Sequence, residues 1–201
     1  IFSTLFVVFL AFFLSLEDWS ADKENRCKYK AHVFYHMHME TPPAVGTPEF
    51  KAPWYAGDIR GAIEGLGGGE GLVFLHHGLV AFPDWGLWGE LTGLARRRPN
   101  DYRFDQELTY EIAKADHPIT RGLKGWTMKD ESYRTPEGPG PGSEILLTAD
   151  HPLSMKEIAW TRPFKKSRVF CCQSGHDGSA FVNPYFLKFL GLGILWSAGA
   201  L

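Results

Sequence analysis

The chain has 201 residues, with 21 Lys and Arg against 23 Asp and Glu, a formal charge of −2 at pH 7. That length supports one domain with a substantial core. The near-neutral balance supplies no cationic field of the kind that draws proteins onto nucleic acid or anionic lipid, so a small neutral or polar ligand fits better. Only Cys27, Cys171 and Cys172 occur. Adjacent strand residues point to opposite faces and do not bridge, so neither a disulfide framework nor a CxxC metal motif is expected.

Residues 1–14 are apolar except for Ser3 and Thr4, fewer than the ~20 residues a membrane-spanning helix needs. Three readings stay open: the core of a signal segment, the remains of a membrane anchor, or a strand or helix of the domain. Residues 1–30 are therefore set apart from a domain over residues 31–201. A cytoplasmic location is expected unless the apolar start is a signal, which would make the protein periplasmic or secreted; membrane association requires it to be an anchor. The roughly 17 residues between it and His32 are too few for a helix, a second strand and two connections, so a helix or irregular tail is expected there rather than a central strand.

Residues 32–35 read as a short strand, and METPPAVGTPEFKAPW as a loop, because its prolines exclude a regular helix. Ile59, Ala62, Ile63 and Leu66 recur at helical spacing behind Asp58, with Gly67 to Gly69 as the stop. The continuous apolar run over residues 72–75 suits a parallel strand buried on both faces, ending in His76, His77 and Gly78. Pro83 and Asp84 announce a helix with Trp85, Trp88 and Leu91 along one side, stopped by Gly93. Arg96, Arg97 and Arg98 read as a solvated surface patch.

Leu108, Tyr110 and Ile112 alternate with polar residues, which predicts a half-exposed strand. Further strands are expected over residues 144–148, 157–161 and 168–172, the last two joined through PFKKS as a hairpin. Asn183 and Pro184 start a helix that runs to about Trp196. This order predicts a three-layer α/β/α domain, whose ligands bind at the carboxyl ends of the strands. The tips at His76 and at Gly175 and His176 are the places to look.

The segments GLVFLHHGLVAFPDWGLWGELTG, ADHPITRGL, KDESYR, ILLTAD, IAWTRPF, RVFCCQSGHDG and NPYFLKFLGLGILW span residues 62–196 in this order. The ordered set resembles the ThuA-like, trehalose-utilisation family. The resemblance implies a flavodoxin-like α/β/α sandwich related to class I glutamine amidotransferases, and a role in the metabolism of trehalose or a related disaccharide. In those relatives a cysteine stands at a sharp strand-to-helix turn and a later histidine activates it. Here FLHHG puts His76 at the turn, and SGHDG supplies His176 with Asp177 beside it. Without a thiol at the elbow the acyl-enzyme route to glutamine hydrolysis lacks its nucleophile. Two departures follow. The hairpin carries Lys165, Lys166 and Ser167 where the family has glycines around a lysine, and the family's first βαβ unit, roughly 30 residues, is missing or replaced.

His76, His176 and Asp177 are the candidate catalytic residues, with Asp177 either orienting His176 or capping the next segment. His77, Asp130, Glu131 and His117 are candidates for binding substrate. Each also has a bland reading: His77 and His117 as turn builders, Asp130 and Glu131 as solvated loop carboxylates. His36 and His38 fall on one face if the first strand continues, and with His76 or His176 they could hold a divalent metal such as zinc. Two classes of function result. One is a sugar-processing enzyme using acid–base chemistry through His76 and His176. The other is a non-catalytic sugar- or partner-binding domain that kept the fold after losing amidotransferase chemistry.

Overall fold

The computed structural model describes residues 14–50 and 57–201; the expectation for the apolar start lies outside the described residues but for Leu14. The apolar run at the centre of the chain becomes β2 (Gly71–Leu75), every residue of which is buried. A strand apolar on both sides needs cover on both faces. It lies between β1 (Ala31–Phe34) and β7 (Ser167–Cys172), parallel to both.

Beyond β7 the sheet turns antiparallel. It continues through β6 (Glu157–Phe164), β5 (Glu144–Ala149), β3 (Asp101–Ile112) and β4 (Trp126–Arg134), giving seven strands in the order β1-β2-β7-β6-β5-β3-β4 among the described residues. The expected hairpin joins β6 to β7, with Phe164 opposite Ser167 and Lys165 at φ 52°.

Alternation along the parallel strands divides the core in two. Leu72, Phe74 and Cys171 face one layer, with α1 (Leu16–Ala21), α3 (Ile59–Glu64) and α5 (Gly86–Thr92). Val73, Leu75 and Cys172 face the other, against Phe186, Phe189 and Leu190 of α7 (Pro184–Ser197). The two adjacent cysteines are thus buried on opposite sides of the sheet, both free. Each large apolar side chain so covered contributes about 1.5–3 kcal/mol, and the result is the three-layer α/β/α sandwich expected.

The helix ends follow their caps. Asp58 accepts from the Gly61 amide to open α3, Asn183 from Tyr185 and Phe186 to open α7, and Gly93 closes α5 in the left-handed conformation. Ahead of β1, α1 lies against the first layer, where Leu16 is buried and Trp19 packs on Phe34, and α2 (Lys23–Arg26) follows it with the Arg26 guanidinium over the Trp19 ring. No helix among the described residues is long and apolar enough to cross a membrane.

Two sequence expectations need correcting. KDESYR is not a loop but most of β4, so Asp130 and Glu131 are buried strand residues. Arg97 is not solvated: its guanidinium is buried and donates to the carbonyls of Phe82, Trp85 and Leu94. It ties together the turns on either side of α5, sharing the Phe82 and Trp85 carbonyls with the amides of Trp85 and Trp88.

Candidate functional site at the carboxyl ends of the parallel strands

The turn leaving β2 is sharp. His76 sits at φ 47°, ψ −108°, between β2 and the short helix α4 (His77–Val80), a left-handed backbone that costs a non-glycine residue about 1–3 kcal/mol unless its surroundings hold it. They do. The His76 amide donates to the Cys172 carbonyl at 2.8 Å, and its carbonyl accepts from the Tyr133 hydroxyl and the Leu79 amide, both at 3.0 Å. Gly78 completes the turn: a Cβ there would lie 2.1 Å from the Phe34 carbonyl oxygen. Only glycine lets the chain pass so close to the end of β1.

The turn leaving β7 presents the second histidine. Gly175 adopts φ 109°, and the buried carboxylate of Asp130 accepts from the amides of Gly175 at 2.7 Å and His176 at 3.0 Å. Burial pushes the Asp130 carboxyl above its ordinary pKa, while these backbone donors oppose the shift. Asp130 is therefore a positioning residue, holding the loop that carries His176.

The three functional groups meet between these turns. His76 Nδ1–H donates to the Gln173 carbonyl at 2.6 Å, because a carbonyl can only accept, and this leaves Nε2 with its lone pair facing the site. Nε2 is 3.0 Å from His176 Nδ1 and 3.8 Å from Glu131 Oε1, and His176 Nδ1 is 3.0 Å from Glu131 Oε2. Burial, followed by the neighbouring His77, lowers His76 to about 3, so its imidazole is neutral at physiological pH. Burial raises the Glu131 carboxyl, with His176 opposing and Asp130 adding to the shift. The His77 ring centroid is 4.2 Å from that of His76 and 5.3 Å from that of His176. His76, His77, Glu131 and His176 each offer a ligand atom, all within 4.8 Å of one another.

Aromatic rings flank this cluster. Tyr35 stacks on His77 with centroids 6.0 Å apart and donates its hydroxyl to the His176 carbonyl at 2.6 Å. Phe104, from the part of β3 that runs past the site, lies 5.2 Å from the His176 ring. Both rings are substantially exposed, Tyr35 at 42% and Phe104 at 54%.

The expected pair, His76 and His176, is thus brought together, and His77, Asp130 and Glu131 join it. The remaining candidates go elsewhere. Asp177 caps α6 (Gly178–Phe181) by accepting from the Ser179 amide at 2.7 Å, and the carboxylate beside the His176 ring is Glu131. His117 lies at the far end of the sheet, where its ring meets Trp196 at 5.3 Å and its Nδ1 accepts from the Ile119 amide. Its proline-bearing turn carries the chain away from the crevice, so it is not a ligand group there. His36 and His38 pair with each other, Nδ1 to Nδ1 at 3.2 Å, in a nest of Phe34, Phe82 and Trp88. They are not among the four converging donors. Sequence reasoning missed Tyr35, Phe104 and Tyr133, which carry no motif and reach the site only through the pairing and curl of the sheet.

Comparison with known proteins agrees with this architecture. The family model for ThuA, trehalose utilisation, matches residues 46–197. A ThuA-like protein from Bacteroides uniformis superposes with a TM-score of 0.69 at 17% identity, covering 91% of this chain and 74% of that one. Another from Parabacteroides merdae gives 0.66 at 21% identity, covering 92% and 75%. A β-galactosidase from Bacillus circulans contains the same fold over 24% of its length, with a TM-score of 0.56, 13% identity and 88% of this chain covered. A search of curated proteins returns no match. At these identities the solved structures establish the fold, and the family model, spanning most of the sequence, establishes that the chain belongs to the ThuA, trehalose-utilisation family.

Proposed function

We propose that this chain processes a disaccharide, trehalose or a relative of it, or a keto derivative, by acid–base chemistry in the crevice above β2 and β7. The observation that carries the reading is the meeting of His76 Nε2, His176 Nδ1 and the Glu131 carboxylate within 3.8 Å beside two exposed aromatic rings. Membership of a trehalose-utilisation family supplies the substrate class.

The chemistry follows from the groups. A sugar offers hydroxyls that need donors and acceptors, and C–H faces that pack on aromatic rings. Tyr35 and Phe104 supply the rings. The pair formed by Glu131 and His176 takes a proton from a hydroxyl, or from the carbon beside a ketone, and returns one to the product oxygen, while the neutral imidazole of His76 accepts a hydrogen bond through Nε2 and holds the pair in place. No thiol stands at the elbow: Cys171 and Cys172 are inside β7, where burial pushes both thiols far above their ordinary pKa. Proton transfer, rather than acyl transfer, is the reaction type left to this crevice.

The test is to incubate the full chain with trehalose, other disaccharides and their keto derivatives and follow products by NMR. Turnover of at least one sugar is expected. Phe104→Ala should raise its KM by up to about ten-fold with kcat retained, the equivalent of one aromatic contact. A sugar bound but unchanged would favour the non-catalytic binding domain, and no sugar bound or changed would contradict the proposal.

A further inference from the structure

We propose that the same cluster is a divalent-cation site of the zinc type, with His76 Nε2, His176 Nδ1 and the Glu131 carboxylate as its ligands and His77 beside the position they leave open. The proposal rests on the preceding reading for the cation's role in chemistry, but not for its binding.

Counting protons makes the argument. The bond from His76 Nδ1–H to the Gln173 carbonyl fixes a lone pair on Nε2. The Glu131 carboxylate is a second acceptor. Both crowd His176 Nδ1, at 3.0 Å each, which carries at most one hydrogen and can serve only one of them. A cation resolves the crowding, because all three groups then present lone pairs to a single centre.

The distances suit it. Tetrahedral coordination at about 2.0–2.2 Å places ligand atoms about 3.3–3.6 Å apart, and the three separations here are 3.0, 3.0 and 3.8 Å. Two imidazoles and one carboxylate form a ligand set that zinc takes in catalytic sites that keep a position open. The outer contacts have the form such sites use: His76 gives its other ring N–H to a backbone carbonyl, and Asp130 anchors the His176 amide. The second pair, His36 and His38, lacks this convergence, since Glu17 approaches only His38, at 3.5 Å, and aromatic rings fill the rest.

With a cation in place the proton work would pass to the oxygen at the open position, a water or a sugar hydroxyl, whose acidity the charge raises. No electrons are transferred, and the proton released from the bound oxygen is taken up by His77 or by solvent.

The full chain, stripped with a chelator, is titrated with Co²⁺ and with Zn²⁺. One equivalent of each should bind, and Co²⁺ should show the intense visible bands of four-coordination. His176→Ala and Glu131→Gln should each weaken zinc binding by about 100-fold or more, and His38→Ala should leave it unchanged. ¹⁵N NMR of the imidazoles in the unaltered chain identifies the ligating histidines even if a variant misfolds, with zinc-dependent shifts expected at His76 and His176. Absence of stoichiometric binding, or zinc shifts confined to His36 and His38, would overturn the proposal. Sugar turnover without zinc binding would defeat the cation site and leave the carbohydrate reading standing. Zinc binding without any sugar turned over or bound would support the cation site and defeat the carbohydrate reading.

Discussion

Two histidine clusters follow neighbouring parallel strands, and their surroundings separate them. Beyond β1, His36 and His38 face each other at 3.2 Å among Phe34, Phe82 and Trp88, and the His38 carbonyl receives the Phe82 amide at 2.7 Å. Beyond β2, His76 meets His176 from the turn after β7; a buried carboxylate joins the two, and a backbone carbonyl and Asp130 anchor them. Close imidazoles alone do not make a site. The first cluster packs and ties a loop to the connection between α4 and α5, while the second aims unspent lone pairs at one point.

The comparison breaks most severely at Gly78, which lies between the two clusters. Gly78→Ala would drive a Cβ to within 2.1 Å of the Phe34 carbonyl, separating the end of β1 from the turn at His76. We expect a loss of about 3 kcal/mol in thermal or denaturant unfolding, at the upper end of overpacking costs. Wild-type stability in this variant would mean that β1 and α4 are not in close contact.

A smaller effect sharpens the packing role of the first cluster. Burial, and then the neighbouring His38, hold His36 down at about 3, and its Nε2 is buried without a hydrogen-bond partner. The unfolded chain therefore binds a proton near pH 6.5 that the folded chain refuses until about pH 3. The stability this histidine contributes is present above pH 6.5 and is lost as pH falls toward 3. His36→Phe should unfold less readily than wild type at pH 5 and change stability by about 1 kcal/mol or less at pH 8. Parallel pH profiles for the two proteins would contradict this account.

The two strand tips of the site were legible in the sequence because continuous apolar runs stop there at glycine and histidine. The helix starts at Asp58 and Asn183 were legible through their caps. Strand β4 was not: Asp130 and Glu131 were placed in a loop, since nothing local shows that Asp130 takes its donors from Gly175 and His176, 45 residues or more away. Arg97 was hidden for the same reason, two of its acceptors being carbonyls 15 and 12 residues earlier in the chain. Asp177 looked like the partner of His176 because it is adjacent in sequence, but an adjacent carboxylate at a helix start is best placed to cap that helix. Glu131, far away in sequence, became the partner through the pairing of strands.

The central claim is that the cluster of His76, His176 and Glu131, and not the pair His36 and His38, carries the activity. The most direct measurement is kcat/KM of His176→Ala and His38→Ala, side by side with wild type, on whichever disaccharide or keto derivative the chain turns over. The account predicts a loss of about 100-fold or more for His176→Ala, the range expected when a proton-transfer group is removed, and an unchanged value for His38→Ala. Equal losses in both, or a loss confined to His38→Ala, would contradict it.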